Sequence, residues 1–296
     1  PNYPKGNFFD GYSWNSPDFE TINGIPVYRA NLFSRGNGGA VSLFLNYCSF
    51  ALISLFKIRK IKGPFDAIFV YQTSPVTVGI PAVYAKKIFK TPIYFWVQDL
   101  WPESLKAAGG IKNVFVLGFF NSLTKWIYKH SRKVLIQSNG FREYIQNQGI
   151  QNDKIIFYPN PTESFYKHLN EVKEYQEFFH NGFFNIVFAG NIGEAQSFKT
   201  IIDAINNIKE LNVKVIVLGE GRYKETALRL IKEKGLESHF NFLGSFPSTE
   251  MPKFFAHADA LLVSLKKNKI FSLTIPAKVQ SYLACGKPII ASLDGS

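Results

Sequence analysis

The sequence contains 296 residues, a length that predicts two domains. Apolar residues make up 46% of it, which excludes a disordered chain, and its two cysteines, Cys48 and Cys285, indicate a reducing compartment rather than a disulfide framework. The formal net charge is +12, and residues 1–160 contribute +10 of it, which favours an anionic partner such as phosphates, an acidic lipid surface or nucleic acid.

The first half of the chain alternates predicted strands with predicted helices. Apolar runs predict strands at 25–30, 66–71, 92–98, 133–137 and 154–158. Helical periodicity predicts helices near 40–58, 76–89, 113–130 and 140–148. Many lysines and arginines fall near the ends of these helices, where cations suit the helix dipole, so the charge has a structural explanation beside the functional one.

The second half repeats the alternation after a polar stretch at 161–182. Strands are predicted at 184–189, 213–218, 239–243, 260–265 and 287–291, and helices at 197–209, 222–234, 248–256 and 276–285. Continuous apolar strands between helices indicate parallel sheets covered on both faces. We therefore predict an α/β protein with two doubly wound Rossmann-like parallel-sheet domains, residues 1–165 and 166–296, that face a cleft.

The predicted helix at 40–58 is apolar on nearly every side. Ser42, Asn46 and Ser49 form a narrow polar stripe at helical spacing. Such a helix is either buried in a core or lies against a bilayer surface, and we expect the core.

Three loops between a strand and a helix in the second half could bind an anion. The first contains Gly190, Asn191, Gly193 and Gln196, and the second contains Gly219, Gly221 and Arg222. Glycines permit tight turns whose N–H groups point outward, and arginine can bind a phosphate through two hydrogen bonds. Ordinary tight turns with a solvated arginine would look the same. Three such loops in one domain favour a phosphate site.

The third loop leads into the predicted helix at 276–285. Pro276 suits the first helical turn, and Thr274 is a candidate cap. Lys278 and Ser281 are three residues apart and share a face, whereas Val279, Tyr282 and Leu283 form the predicted buried side. The start of this helix would offer N–H groups, an ammonium and a hydroxyl, which suits a diphosphate.

In the first half, Asp99 follows a predicted strand, and Ser138 and Arg142 lie at another turn between a strand and a helix. Asp99 and Ser138 also have a structural interpretation, since either side chain could cap a helix. No histidine and cysteine cluster has metal-ligand spacing, so we expect no metal. The basic residues carry no nucleic-acid-binding motif, so we expect no nucleic-acid partner.

Several motifs together resemble a known family. "AGNIG", "GEGR" and "CGKPIIAS" resemble the family 4 glycosyltransferases of the GT-B fold. "PNYPKG", "VQDLWPESL" and "FSLTIPAKVQSYLACGKP" resemble the bacterial enzymes of capsule and O-antigen assembly, particularly amino-sugar transferases of the L-fucosamine type. The resemblance spans nearly the whole chain and implies that it is a fragment, incomplete at both termini.

The resemblance implies a retaining, metal-independent glycosyltransferase. A UDP-sugar would bind the C-terminal domain, and a polyprenyl-diphosphate-linked saccharide would approach the N-terminal domain. Such an enzyme works in the cytoplasm, in peripheral contact with the anionic inner face of the bacterial plasma membrane. The product would enter a surface polysaccharide such as capsule or lipopolysaccharide.

The resemblance also assigns roles to residues. Gly190, Asn191, Gly193 and Gln196 would adjoin the donor phosphates and sugar, Gly219, Gly221 and Arg222 the nucleotide, and Gly244 with the helix from Ser248 the base. Asn191 and Gln196 replace an arginine and a lysine of many relatives, so Lys278 would supply the charge. Two glutamates that are eight residues apart in most relatives are replaced here by Leu273 and Ser281. Asp99 would position or deprotonate the acceptor hydroxyl.

Two other functions remain open at this point. One is a UDP-sugar epimerase of GT-B architecture, which would need acid and base groups but no acceptor lipid. The other is a non-catalytic nucleotide-sugar-binding subunit, which the replaced glutamates allow. Chemical products distinguish all three.

Overall fold

The computed structural model describes residues 6–36, 39–109, 113–170 and 172–295. Of the opening motif PNYPKG, only Gly6 falls within the described residues. The chain forms two compact units, residues 1–158 and 159–296. The sequence-based division at residues 165 and 166 falls just inside the second unit.

The strands of the first unit are β1 Phe19–Ile22, β2 Ile25–Tyr28, β3 Ile68–Gln72, β4 Ile93–Val97, β5 Lys133–Ile136 and β6 Ile155–Phe157. The last four form a parallel sheet in the order β3-β4-β5-β6. Its helices are α1 Ala40–Ile58, α2 Gly79–Phe89, α3 Glu103–Gly109, α4 Val114–His130 and α5 Phe141–Asn147.

The strand predicted at 25–30 lies outside this parallel sheet. It forms β2, which pairs antiparallel with β1 in a two-stranded hairpin. Asn23 and Gly24 connect the strands with φ angles of 50° and 78°. Asn-Gly suits a tight hairpin turn because both residues tolerate the left-handed conformation. The dipeptide was a hairpin signal that the parallel-sheet interpretation missed.

The second unit contains a five-stranded parallel sheet in the order β11-β10-β7-β8-β9. Its strands are β7 Phe184–Ala189, β8 Val213–Leu218, β9 Phe240–Gly244, β10 Ala260–Ser264 and β11 Ile289–Ser292. Its helices are α6 Phe198–Asn207, α7 Lys224–Glu233, α8 Met251–His257 and α9 Ala277–Ala284. Each predicted strand and helix of this half is present.

Helices cover both faces of the second sheet. On one face, Phe188 and Val215 pack with residues of α6 and α7, including Phe198 and Ile231. On the other, Val187 and Ile216 pack with residues of α8 and α9, among them Phe254, Phe255 and Tyr282. Apolar residues at consecutive strand positions are needed because each face has its own core. This confirms the prediction of an α/β fold with parallel sheets.

Helix α1 is oriented opposite to the expectation that it lies in a core. Its apolar side chains Val41, Phe44, Leu45, Leu52 and Phe56 are exposed, whereas Asn46 and Ser49 are buried. Among the described helices, α1 is long and apolar enough to cross a membrane by length and composition, with a mean hydropathy of 1.7 over Val41–Ile58.

The buried polar stripe of α1 has hydrogen-bond partners that explain its orientation. Asn46 Nδ2 donates to the backbone oxygen of Phe33, and the backbone N–H of Phe33 donates to Ser49 Oγ at 3.0 Å. The segment around Phe33 forms no strand, so its backbone groups need side-chain partners where they are buried. The polar stripe supplies them and turns the apolar side outward.

Candidate functional site

In the second sheet, the order in which the chain adds strands reverses between the neighbouring strands β7 and β10. The chain leaves β7 toward β8 on one side, and leaves β10 toward β11 on the other. Such a reversal of strand order is a topological switch point, and open α/β sheets bind ligands in the crevice outside the carboxyl ends of the strands there. The crevice discussed below is this region, at the carboxyl ends of β7 and β10. The loop at 190–196 follows β7, and the loop at 265–276 follows β10 and leads into α9.

The glycines after β7 and β8 let two loops pack backbone against backbone. Gly190 and Gly219 have φ angles of 134° and 145°. A Cβ atom on Gly219 would lie 1.9 Å from the backbone oxygen of Gly190, and one on Gly221 would lie 2.2 Å from that of Ile192. Side chains are therefore excluded at both positions, and the two loops form one rigid ledge.

Hydrogen bonds hold the ledge together. The backbone N–H of Ile192 donates to Glu220 at 2.9 Å, and that of Tyr223 donates to Ile192 at 3.0 Å. The N–H of Gly219 donates to Gly244 at 2.7 Å, which joins the end of β9 to the same ledge. The sequence-predicted glycines after three neighbouring strands thus lie together.

The polar residues predicted on the ledge have different environments. Gln196 is engaged locally, since its Oε1 accepts the N–H of Gly193 at 3.1 Å. Asn191 and Arg222 are exposed. No hydrogen bond or ion pair joins Arg222 to another residue in the described part of the chain, so its guanidinium is available to a ligand.

Lys278 is the most unusual side chain of this crevice. Its ammonium lies 3.8 Å from the centre of the Phe188 ring and has no hydrogen-bond acceptor among the described residues. Burial lowers the pKa of Lys278 to about 8. A Cβ atom on Gly190 would lie 2.7 Å from its Cε, so the glycine leaves room for the lysine. A buried cation without a partner is costly and would be stabilised by an anionic ligand.

The start of α9 adds backbone donors beside this ammonium. Val279 makes the first helical hydrogen bond, from its N–H to Pro276 at 2.9 Å. The N–H groups of Ala277 and Lys278 precede it, and the helix dipole makes this end positive. The prediction that Thr274 caps the helix is wrong, because its Oγ1 donates to Ile270 at 3.3 Å. Pro276 itself occupies the cap position, in extended conformation.

Ser281 does not share the environment of Lys278. Its hydroxyl lies 3.1 Å from Thr162 Oγ1 and donates to the backbone oxygen of Ala277 at 3.4 Å. Tyr282 is buried as predicted, but the prediction that Leu283 is buried is wrong, since 64% of it is exposed. Leu283 lies on the side of the short helix that faces away from the sheet.

Sequence reasoning missed the connection between the two loops of the crevice. The N–H of Lys266 donates to the backbone oxygen of Ala195 at 2.8 Å, and its Nζ lies 2.9 Å from Glu194 Oε1. Ser264, the last residue of β10, is buried with no hydrogen-bond partner for its hydroxyl among the described residues. The sequence offered one signal for these residues, which is their position: Glu194 lies in the loop after β7, and Ser264 and Lys266 lie at and just after the end of β10.

In the first unit, Asp99 follows β4 and is half-buried. Burial raises the pKa of its carboxyl to about 6. Ser138 is buried and its Oγ accepts the N–H of Gly140 at 3.2 Å, a structural role at the start of α5. Arg142 binds Asn152 Oδ1 at 2.8 Å and the backbone oxygen of Ile155 at 3.2 Å. It therefore ties α5 to β6.

No three histidine, cysteine or acidic side chains approach one another closely enough to hold a metal ion within the described ranges. The carboxylates on the loops of the crevice, Glu194 and Glu220, are each paired with a lysine, and the other polar groups are cations, amides, hydroxyls and backbone N–H groups. This donor set suits an anion such as a phosphate.

Comparisons with known proteins relate this chain to glycosyltransferases. Residues 184–295 match the family model described as "Glycosyl transferases group 1", which spans every strand of the second sheet. The chain is 25% identical over 223 residues to the uncharacterized glycosyltransferase MJ1059 of Methanocaldococcus jannaschii, covering 71% of this chain and 52% of the relative.

Two solved structures illustrate the likeness of fold. Alr3699/HepE of Anabaena, solved in complex with UDP, has a TM-score of 0.66 at 14% identity, and the match covers 82% of this chain and 64% of the HepE chain. Sucrose-phosphate synthase of Thermosynechococcus elongatus has a TM-score of 0.72 at 16% identity, and the match covers 95% of this chain and 69% of the synthase chain. The fold is that of the GT-B glycosyltransferases. The chain spans about half the length of the curated relative and about two thirds of HepE.

We expect Gly221→Ala to disrupt the ledge, because its Cβ atom would lie 2.2 Å from backbone atoms that cannot rotate away. Overlap with backbone costs roughly 2 kcal/mol or more of unfolding free energy, measured by chemical denaturation. Gly118→Ala is the control, since nothing lies within 4 Å of its Cβ position in α4. It should stabilise the helix by up to ~1 kcal/mol. Equal effects of the two substitutions would contradict the packed ledge.

Lys278→Met should stabilise the second unit near neutral pH. The folded pKa of about 8 lies below the ordinary value of 10.5, so between these values the unfolded chain binds more protons. The penalty of the buried charge is therefore complete below pH 8 and shrinks as the pH rises toward 10.5. We expect a gain of about 2 kcal/mol at pH 7 that narrows at higher pH, measured by denaturation across pH. A pH-independent difference would contradict the burial of a charged ammonium.

Proposed function

We propose that this protein is a retaining, metal-independent glycosyltransferase. It moves a sugar, specifically an N-acetylated amino sugar, from a UDP-sugar to a polyprenyl-diphosphate-linked saccharide in bacterial surface polysaccharide biosynthesis. It works in the cytoplasm, peripherally attached to the inner face of the plasma membrane. The observation that carries the proposal is the unpartnered Lys278 ammonium beside a glycine ledge at the switch point of the second sheet.

The donor half of the proposal rests on charge and on close backbone approach. The diphosphate of a UDP-sugar carries two negative charges near neutral pH, and Lys278 with the first N–H groups of α9 would bind it. Gly190 leaves room for the Lys278 side chain, and Gly193 leaves room for the side chains of Asn191 and Gln196, so the two glycines would let these polar groups approach the phosphates and sugar. Arg222 is free to bind the nucleotide side. The likeness to HepE, which was solved with UDP, supports a UDP-linked donor.

The amino sugar and the lipid-linked acceptor rest on the motifs that resemble capsule and O-antigen enzymes. On the acceptor side, the raised pKa of Asp99 makes its carboxylate a better proton acceptor than an exposed aspartate. Ser138 and Arg142 are engaged within the first unit, so they position its backbone rather than a substrate. We therefore assign the acceptor hydroxyl to Asp99.

In the proposed reaction, the bond between the anomeric carbon and the donor phosphate oxygen breaks. The acceptor oxygen bonds to the anomeric carbon on the same face, and its proton passes to Asp99 or to the departing phosphate oxygen. Negative charge grows on the leaving diphosphate, where Lys278 and the start of α9 stabilise it without a metal. Alignment of the two substrates supplies the rest of the acceleration.

The test is transfer of radiolabelled sugar from a panel of UDP-sugars to polyprenyl-diphosphate saccharides, with chelator present. We expect lipid-linked product, and a loss of roughly 100-fold or more in rate for Lys278→Ala, as for removal of one transition-state donor. Asp99→Asn should impair transfer while retaining UDP binding. Lys199→Ala and Asp203→Asn, at an exposed ion pair on α6, are matched controls expected to remain active.

Three other outcomes of this experiment would contradict the proposal. Isomerised UDP-sugar without a lipid product would establish an epimerase. UDP-sugar binding without any turnover would establish a binding subunit. Transfer that chelator abolishes would contradict the metal-independent mechanism.

The rate of transfer should depend on pH through both groups. Asp99 positions or deprotonates the acceptor hydroxyl as a carboxylate, so kcat/KM should fall as the pH drops through about 6. Lys278 must be charged to hold the phosphates, so kcat/KM should also fall as the pH rises through about 8. Lys278→Arg should extend activity to higher pH, because a guanidinium keeps its charge. An alkaline limb unchanged in Lys278→Arg would contradict its assignment to this lysine.

A further inference from the structure

Three helices of the first unit form one layer. Helix α2 lies between α1 and α4 and contacts both. The outer helices also meet at Trp101, whose ring centre lies 6.5 Å from that of Tyr47 on α1 and 5.1 Å from that of Phe120 on α4. The exposed side chains of α1 and α4 therefore belong to the same layer of helices.

This layer is rich in exposed apolar side chains. On α1 the exposed residues recur at spacings of a helical face and are Val41, Phe44, Leu45, Leu52 and Phe56. On α4, Phe115 is 89% exposed and Phe119 is 63% exposed, and Trp126 follows on the same side. Apolar side chains exposed over two neighbouring helices mark an interaction surface.

The charge of the layer indicates the chemistry of its partner. None of the residues of α1, α2 or α4 is acidic, whereas each helix has at least one lysine in its last turn. Exposed cations at these ends are Arg59, Lys60, Lys62, Lys87, Lys90 and Lys129. Asp18 is the carboxylate that faces Lys57 and Lys60 from outside the layer. Apolar side chains bordered by cations are typical of surfaces that bind anionic lipids.

We propose that the outward faces of α1 and α4 bind the surface of an anionic bilayer. The phenylalanines and leucines enter the boundary between headgroups and acyl chains, and the lysines and Arg59 contact the headgroups. Helix α1 lies in the plane of the surface, because Asn46 and Ser49 attach its opposite side to the first unit. Its biological purpose rests on the proposed lipid-linked acceptor. Asp99 follows β4 and precedes Trp101 by two residues, so the acceptor-side carboxylate lies at the carboxyl edge of the sheet, near the start of α4 and opposite the lysines that end α2 and α4.

The test is co-sedimentation with vesicles of phosphatidylcholine and phosphatidylglycerol, and with phosphatidylcholine vesicles, without donor or acceptor. Phe115→Gln with Phe119→Gln, and Leu52→Gln with Phe56→Gln, remove exposed apolar groups while favouring helix. Each pair should weaken binding to anionic vesicles about tenfold or more. The matched control is Leu211→Gln with Leu283→Gln in the second unit, whose residues are 58% and 64% exposed. It should bind as the unsubstituted chain does.

Binding should also weaken with salt and on phosphatidylcholine alone, because headgroup charge contributes. Circular dichroism checks that the variants remain folded. The proposal is overturned if the unsubstituted chain does not bind vesicles, or if folded variants of α1 and α4 bind equally well. It is also overturned if light scattering shows a lipid-free dimer that these variants dissociate, since a second copy would then cover the surface. UDP binding measured by calorimetry separates the two proposals, because its loss with vesicle binding intact would contradict only the donor assignment.

Discussion

The Lys278 ammonium over the Phe188 ring is the interaction on which the candidate site depends. A cation over an aromatic face is attractive, but it does not replace the hydrogen bonds that an ammonium makes in water. The side chain reaches this position because Gly190 has no Cβ atom and because α9 begins beside the carboxyl end of β7. The fold thus holds a charge in an unfavourable environment, as proteins often do at functional sites. An anionic ligand is the simplest partner for it.

The remaining features of the crevice follow from the order of the strands. The strand order reverses between the neighbours β7 and β10, and open α/β sheets bind ligands at that point, where backbone N–H groups are available. The glycines after β7 and β8 make the ledge on one side, and the bond between Lys266 and Glu194 ties the two loops together. The site is therefore preorganised, which suits stabilisation of a leaving diphosphate.

The sequence predicted the parallel sheets well because their strands are continuous apolar runs between helices, a local pattern. It predicted the glycine loops for the same reason, since each follows a strand directly. It predicted the strand at 25–30 but not its pairing, because the Asn23–Gly24 turn places that strand in a hairpin outside the parallel sheet. It was wrong about α1, because periodicity shows which residues share a face but not which face is covered. Ser138 and Arg142 have partners that no local pattern reveals.

The sequence by itself determined the alternation of strands and helices, the glycines that follow the strands, and the excess of positive charge in the first half. Only the tertiary structure decided which of these features meet. Phe188 and Lys278 are far apart in sequence, as are Phe33 and Asn46, and Thr162 and Ser281. The direction of each of these side chains depends on the backbone groups and rings that a distant segment brings to it. Local propensity sets the elements, and long-range packing sets the environment of each functional group.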